Sequence, residues 1–230
     1  MNKLVGLCFF VFASLAQASN SGMVFGLNTR VIFNLDEKAT SFTLTNDTET
    51  DYLIQASIHE DDKERTISEN FMVTPEVFRL KPNTTTNVTI RRLAGKFPDD
   101  RESLVYITGR WIPAGNNANN GKVDLLYSFT QKVFVRPFKL KGIDAVDKSL
   151  EDVDFTYKSG QLCISNKSPY HLTFYRLLID GKKVDLQPSI KMLNPFETCY
   201  LTQSEKPKKI TWSFIGDSGY ETATAERTLR

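Results

Sequence analysis

Residues that commonly bind metal ions are scarce in this sequence: 2 of its 230 residues are histidines and 3 are cysteines. His59 and His171 are far apart, and neither belongs to a set of residues with the spacing of metal ligands. The acidic residues that follow His59 lack the glycine turn and the terminal glutamate of a calcium loop. We therefore expect no metal site and no cofactor.

The sequence also lacks an excess of charge of either sign, with 29 Lys and Arg residues against 27 Asp and Glu residues. This balance gives no reason to expect nucleic acid or an anionic membrane as a partner. A Gly-x-Ser-x-Gly elbow, a Gly-Lys-Ser/Thr phosphate loop and a His-Glu-x-x-His helix are all missing. We expect a protein that is not an enzyme and has no small-molecule substrate. A serine and a histidine that meet only in the folded chain are the alternative.

One long apolar run is present, from Leu4 to Leu15, and it follows the positive start Met1-Asn2-Lys3. The next residues, Ala16-Gln17-Ala18, have the small-x-small form of a signal-peptidase site. We predict a signal peptide over residues 1–18, cleaved after Ala18. A membrane anchor is the alternative, but the run is too short to span a bilayer and polar residues follow it.

Removal of the signal peptide would leave two cysteines, Cys163 and Cys199, because Cys8 lies within the apolar run. An even pair in an oxidising compartment predicts one disulfide bond between them. Two buried free thiols are the alternative.

No stretch has a sustained helical stripe, whereas many short stretches alternate between apolar and polar residues, as β-strands do. In the first half of the chain, the predicted strands are Asn28 to Asn34, Ser41 to Asn46, Leu53 to His59, Phe71 to Thr74, Phe78 to Leu80, Asn87 to Arg92, Val105 to Ile112 and Val123 to Pro137. Polar turns separate them, which favours an all-β sandwich.

The alternation stops near Arg136-Pro137 and a charged, weakly periodic stretch follows, so we predict domains over residues 19–138 and 139–230. In the second half, the predicted strands are Val153 to Lys158, Gly160 to Asn166, His171 to Ile179, Lys191 to Leu193, Glu197 to Gln203, Lys209 to Ile215 and Thr222 to Leu229. The length and the rhythm of the strands suit two sandwiches of about 100 residues each.

Three segments resemble those of the periplasmic pilus and fimbrial chaperone family, which includes the P-pilus and type 1 pilus chaperones. They are the opening strand Asn28-Thr29-Arg30-Val31-Ile32-Phe33, the threonine-proline segment Phe71 to Leu80, and Asp100 to Leu104 combined with Gln131 to Pro137. The resemblance spans both halves of the chain. It implies two immunoglobulin-like β-sandwich domains in an L-shaped arrangement, with a cleft between them.

The resemblance also implies a function: capping pilus subunits in the periplasm and delivering them to an outer-membrane usher, in the chaperone-usher pathway. Family members hold the C-terminal carboxylate of the subunit with one arginine and one lysine, which correspond here to Arg30 and Lys132. A guanidinium and an ammonium group can together bind one carboxylate through charge-assisted hydrogen bonds. The alternative is that both residues are ordinary surface cations.

The family's subunit-binding strand corresponds to Val123 to Thr130, where Val123, Leu125, Tyr127 and Phe129 share one face. The resemblance implies that these side chains complete the fold of a subunit by donor-strand complementation. Alternatively, they face the protein's own core. Lys132 falls on the opposite parity, so a β-bulge or a strong twist would be needed to bring it to the same face.

An exposed strand edge of this kind invites pairing, so we expect weak self-association of the free protein. A secreted immunoglobulin-like binding or adhesion module without chaperone activity is the alternative function, because sandwich folds serve many functions. It would bind through its loops and would not depend on Arg30 and Lys132.

Overall fold

The computed structural model describes residues 23–25, 30–93, 95–113, 126–142 and 144–229. The predicted signal peptide and two of the predicted subunit-binding residues, Val123 and Leu125, lie outside these ranges. Within them, no helix has the length and apolar character needed to cross a membrane.

The first half of the chain forms a sandwich of two sheets. Its strands are β1 (Met23–Phe25), β2 (Val31–Asn34), β3 (Ala39–Asn46), β4 (Tyr52–His59), β5 (Phe71–Thr74), β6 (Val77–Leu80), β7 (Thr84–Arg92), β8 (Ser103–Pro113) and β9 (Tyr127–Arg136). One sheet has the order β1-β3-β7-β5 and the other has the order β2-β9-β8-β4-β6. Alternate residues from both sheets, such as Ile54 and Ile58 on β4 and Val88 and Ile90 on β7, fill the core between them.

Short helices separate the first sandwich from the second. A 3₁₀ helix (Phe138–Leu140) and α1 (Ala145–Lys148) follow Pro137, which cannot donate a ladder hydrogen bond. The second sandwich comprises β10 (Val153–Lys158), β11 (Gln161–Asn166), β12 (Leu172–Ile179), β13 (Lys182–Lys183), α2 (Pro188–Lys191), β14 (Met192–Leu193), β15 (Thr198–Thr202), β16 (Lys209–Phe214) and β17 (Ala225–Thr228).

The second sandwich packs a three-stranded sheet, β10-β11-β15, against a sheet of order β13-β12-β16-β17, with β14 also paired to β12. Trp212 lies at its centre, fully buried, with its ring centroid 4.7 Å from that of Phe155. The indole N–H donates to the carbonyl oxygen of Leu150 at 3.0 Å, so the only polar atom of this side chain is satisfied.

The structure confirms the prediction of an all-β protein with two immunoglobulin-like sandwiches. β5 and β10 have the predicted bounds, and most of the other predicted strands differ by one to three residues at either end. The sequence pattern did not predict the two-residue β13 or the four-residue helices, because such short elements have no measurable periodicity.

The predicted disulfide between Cys163 and Cys199 is wrong, since both cysteines are free. They lie on the neighbouring strands β11 and β15, but in this register Cys163 is opposite Tyr200 and Cys199 is opposite Ile164. Residues directly opposite each other share a face of the sheet. Cys199 therefore packs against the core beside Ile164, whereas Cys163 is on the outer face, and a disulfide cannot join opposite faces. Burial raises the pKa of the Cys199 thiol.

Candidate functional site

A cleft of about 210 Å³ lies between the two sandwiches, and both predicted anchoring residues contribute to its walls. Most of the lining belongs to the first sandwich and comes from β9 and from Arg30, which directly precedes β2. The rest comes from the second sandwich, from Thr173 on β12 and from Ile215, which follows β16. The lining residues are Arg30, Thr130, Gln131, Lys132, Phe134, Thr173 and Ile215. The structure thus brings Arg30 and Lys132 together, although about 100 residues separate them in the sequence.

Arg30 directly precedes β2 and is only 5% exposed. Its guanidinium carbon is 3.8 Å from the centroid of the Phe134 ring. Nη1 donates to the carbonyl oxygen of Ile215 at 2.9 Å and Nη2 donates to that of His171 at 3.4 Å, while Nε is buried with no hydrogen-bond partner among the described residues. Burial lowers the pKa of Arg30. The charges of Glu102 and Asp217 partly oppose this shift, but both carboxylates form their ion pairs with Arg136. The protein therefore holds a largely desolvated cation, a costly arrangement unless an anion joins it.

Lys132 is on β9, opposite Tyr106 on β8, and its side chain is partly buried. Burial lowers the pKa of Lys132, and the charges of Lys191 and Arg30 lower it further, whereas the charge of Asp62 raises it. No ion pair to Lys132 occurs in the part of the chain that the structure describes. The cleft is therefore a site of positive potential.

The strand that carries Lys132 has one partly open edge. β9 pairs with β8 from Tyr127 to Val135, but it pairs with β2 only from Val133 to Arg136. Along Tyr127 to Lys132, no described strand covers the other edge of β9. With respect to the described strands, this part of β9 is therefore an edge, the kind of position where an incoming strand can be added to a sheet.

Of the four predicted subunit-binding residues, the structure describes Tyr127 and Phe129. Both share the face of β9 that includes the core residues Val133 and Val135. Phe129 lies over Gly109 on β8, so closely that a Cβ atom added at this glycine would be 2.1 Å from the ring. Tyr127 is 51% exposed. Phe129 thus covers the protein's own sandwich, as the alternative interpretation of this stripe expects, while Tyr127 remains accessible.

Lys132 lies on the opposite face of β9 from these two aromatic residues. The register between β8 and β9 is continuous from Tyr127 to Val135, so no β-bulge in this segment brings Lys132 to their face. The cleft lined by Lys132 and the aromatic stripe are consequently on different sides of one strand. A peptide that used both would run along the edge of β9 rather than over one of its faces.

Beside the cleft, an ion-pair network that the sequence did not reveal joins the two sandwiches. Arg136, at the end of β9, donates to Glu102 from Nε at 2.9 Å and from Nη2 at 2.6 Å. It also donates to both carboxylate oxygens of Asp217 at 3.0 Å. Glu102 accepts from the backbone N–H of His171 at 2.9 Å, and Asp217 accepts from that of Ala145 at 2.9 Å.

The charges in this network stabilise one another. Burial alone would lower the pKa of Arg136, but Asp217 and Glu102 raise it above the ordinary value. Burial would raise the pKa of Glu102 and that of Asp217, yet hydrogen bonds and the charge of Arg136 bring both below their ordinary values. Glu102 and Arg136 both lie in segments that resemble the chaperone family, but their pairing could not be predicted, because the residues of this network are distant in the chain.

Two family models match this chain. The one described as the pili and flagellar-assembly chaperone, PapD N-terminal domain, matches residues 24–141. The pili assembly chaperone PapD C-terminal domain matches residues 148–226. Among curated relatives, the chaperone protein PsaB of Yersinia pestis is 31% identical over 217 residues, covering 83% of this chain and 78% of its own. The chaperone protein FanE of Escherichia coli is 29% identical, covering 99% of this chain and 100% of its own.

Solved structures have the same fold. The E. coli chaperone DraB superposes with a TM-score of 0.78 at 28% identity, covering 91% of this chain and 97% of its own. The Salmonella enterica SafB chaperone, in complex with the SafA pilin, gives a TM-score of 0.78 at 22% identity, covering 90% of this chain and 96% of the matched chain. Both superpositions extend over both sandwiches.

Proposed function

Because this chain belongs to the family of pili-assembly chaperones, we propose that it caps pilus or fimbrial subunits in the periplasm and delivers them to an outer-membrane usher. One observation carries the proposal: a buried arginine that forms no ion pair within the described residues lies beside an edge of β9 that no described strand covers. Such a site suits an extended peptide that ends in a carboxylate. The family consists of chaperones rather than enzymes, and the proposed reaction makes no covalent bond.

In this proposal, Arg30 and Lys132 hold the C-terminal carboxylate of the subunit. Arg30 already has its guanidinium fixed by Phe134 and by the carbonyl oxygen of Ile215, so little side-chain entropy is lost when the anion binds. Lys132 supplies a second charge from β9. The bound carboxylate would offset the unfavourable burial of both cations.

The peptide would then continue along the open edge of β9, from Lys132 towards Tyr127. Main-chain hydrogen bonds would give affinity, and the apolar side chains of β9 would occupy the incomplete core of the subunit. We assign this role to Tyr127 and Phe129, and to Val123 and Leu125, which precede them in the sequence. Each side chain that becomes fully buried contributes roughly 1.5–3 kcal/mol before ordering costs.

Phe129 would have to leave Gly109 in order to enter the subunit. A half-buried ring can make this exchange at low net cost, because it leaves one apolar surface for another. In the free protein, the same open edge allows weak pairing between two copies, which a concentration series of light-scattering measurements would detect. A monodisperse monomer across the series would contradict this expectation.

Secretion completes the proposal. Residues 1–18 would form the signal peptide, and the mature protein would consist of domains over residues 19–138 and 139–230. Release of the subunit at the usher would proceed by strand exchange and would need no nucleotide. N-terminal sequencing of the protein from the native periplasm tests the cleavage after Ala18.

Affinity purification of the tagged protein from its native periplasm tests the function, with bound proteins identified by mass spectrometry. Wild type is compared with Arg30→Ala, Lys132→Ala and the control Lys182→Ala, which removes an exposed lysine from β13. We expect wild type and the control to retain small β-rich subunits that both cleft variants lose. If the cleft variants retain the same proteins, the anchoring role is wrong, and a binding module that uses its loops is the better interpretation.

A further inference from the structure

His171 lies between the proposed anchor Arg30 and the ion-pair network of Arg136. It directly precedes β12 and is 5% exposed. Its carbonyl oxygen accepts from Nη2 of Arg30 at 3.4 Å, and its backbone N–H donates to Oε2 of Glu102 at 2.9 Å. The backbone of a single residue therefore separates the cation of the cleft from a buried carboxylate.

The imidazole ring of His171 provides a second hydrogen bond to the same carboxylate. Its Nδ1 is 3.2 Å from Oε2 of Glu102. An ionised carboxylate only accepts hydrogen bonds, so Nδ1 carries the proton and donates it to this contact. Oε1 of Glu102 accepts from Nε and Nη2 of Arg136. Each oxygen of Glu102 thus has two donors, which fills the roughly four acceptor positions of a carboxylate.

Arg30 and Glu102 attract each other, yet Glu102 forms its ion pair with Arg136 and not with Arg30. Burial lowers the pKa of Arg30, and among the charges that oppose this lowering that of Glu102 is the largest. The bond from Nη2 of Arg30 to the carbonyl oxygen of His171 is long, and Nε has no partner among the described residues. Arg30 therefore has donors that a carboxylate can take up, whether that carboxylate belongs to Glu102 or to a ligand.

We propose that His171 is a positioning residue, which occupies the acceptor position through which Glu102 would otherwise bind Arg30 and so keeps Arg30 available for the subunit. This inference rests on the proposed function, because it assumes that Arg30 holds the terminal carboxylate of a pilus protein. The ring has a second contact with the anchor, since its centroid is 5.8 Å from that of Phe134, on which Arg30 stacks. His171 acts through Arg30 rather than on the subunit itself.

Two substitutions of nearly equal size test the hydrogen bond from the ring. His171→Leu removes the donor, whereas His171→Asn keeps one, because the amide nitrogen of asparagine can donate from nearly the same place. In His171→Leu, Oε2 of Glu102 should bind Arg30, and we expect affinity for a peptide with a free C-terminus to fall about tenfold. His171→Asn should restore most of this affinity. Fluorescence anisotropy with a labelled peptide of alternating valine and threonine measures both variants.

An amidated peptide and the Arg30→Ala background separate a positioning role from a structural one. If His171 acts through Arg30, His171→Leu should not weaken binding of the amidated peptide, and it should have no further effect when combined with Arg30→Ala. A loss that is equal for both peptides, or that persists in the Arg30→Ala background, would show that the ring only supports the fold. If thermal unfolding shows that His171→Leu does not fold, His171→Phe takes its place with the same expectations, because it keeps a ring beside Phe134 and lacks the donor.

The same measurements distinguish a failure of this inference from a failure of the proposed function. If amidation and Arg30→Ala weaken binding but His171→Leu does not, the role of His171 is wrong and the anchoring role survives. The same conclusion holds if His171→Asn and His171→Leu weaken binding equally. If amidation and Arg30→Ala both leave binding unchanged, or if wild type does not bind the peptide, both proposals fail.

Discussion

Two buried arginines lie at the interface between the sandwiches, and they differ in their partners. Arg136 makes hydrogen bonds to two carboxylates, one from each sandwich, which raise its pKa. Among the described residues, Arg30 donates to two carbonyl oxygens and stacks on Phe134, and burial lowers its pKa although the charges of Glu102 and Asp217 oppose this. One cation is paired within the protein, whereas the other forms no ion pair with any residue that the structure describes.

In the proposed function, this difference separates a structural charge, Arg136, from a binding charge, Arg30. Burying an unpaired cation costs several kcal/mol, so a protein retains one where an external anion compensates for it. Arg136 fixes the two sandwiches together and uses four of its five N–H donors to do so. The fixed interface in turn holds Arg30, on the first sandwich, against the carbonyl oxygen of Ile215, on the second. We therefore expect substitutions of the two arginines to affect different properties.

The largest expected effect is the loss of stability in Arg136→Ala. This change leaves Glu102 fully buried without its cation, and we expect the free energy of unfolding to fall by about 3–5 kcal/mol. Arg30→Ala removes two hydrogen bonds to carbonyl groups and one ring contact, and should cost only about 1–2 kcal/mol. Urea unfolding of both variants measures the difference. Equal losses would contradict the division of roles.

Arg30→Ala should instead have its main effect on binding. Loss of one partner of a desolvated charge pair typically costs about 2 kcal/mol or more, so affinity for a subunit should fall about 30-fold or more. Arg30→Lys should restore only part of the affinity, because an ammonium group lacks the planar fork of donors. Titration calorimetry with a purified subunit measures both variants. If the affinity of Arg30→Ala stays within about threefold of wild type, Arg30 does not contribute to subunit binding in the proposed way.

Acid should weaken the Arg136 network. The pKa values of Glu102 and Asp217 are lowered in the folded protein. The stability that these two carboxylates contribute is therefore fully present above the pKa of carboxyl groups in the unfolded chain, about 4. It is lost as the pH falls through the lower pKa values that the two groups have in the folded protein. We expect unfolding free energies measured from pH 7 to pH 3 to decline more steeply for wild type than for Arg136→Ala. Parallel declines would show that other groups control acid unfolding.

The smallest expected effect concerns the open half of β9. Gly109→Ala places a Cβ atom against the Phe129 ring and should destabilise the free protein by about 1 kcal/mol. If Phe129 leaves this position when a subunit binds, the strain disappears in the complex and affinity rises by several-fold. Gly142→Ala is the control, since a Cβ atom there meets nothing within 4 Å. Unchanged or reduced affinity in Gly109→Ala would mean that Phe129 stays in place.

The alternation of apolar residues predicted most of the strands, because burial on one face imposes a period of two. It could not predict pairing between strands. The disulfide prediction failed for this reason: Cys163 and Cys199 are on adjacent strands, but a register set by the whole sheet turns them to opposite faces. Very short elements such as β13 give no signal, because two residues cannot show a period.

The site could be predicted only in part. Resemblance to a family suggested Arg30 and Lys132, and the fold brings both to one cleft. The partners of Arg136 come from the residue before β8 and from the loop after β16, and no local pattern links such distant segments.

A double-mutant cycle between Arg30 and a peptide carboxylate tests the central claim most directly. The affinities of wild type and Arg30→Ala are measured for one peptide with a free C-terminus and for the same peptide with an amide. If Arg30 binds the terminal carboxylate, amidation should weaken binding strongly in wild type and little in the variant, with a coupling energy of about 2 kcal/mol or more. If amidation costs the same in both proteins, Arg30 does not bind the carboxylate, and the account of the cleft is wrong.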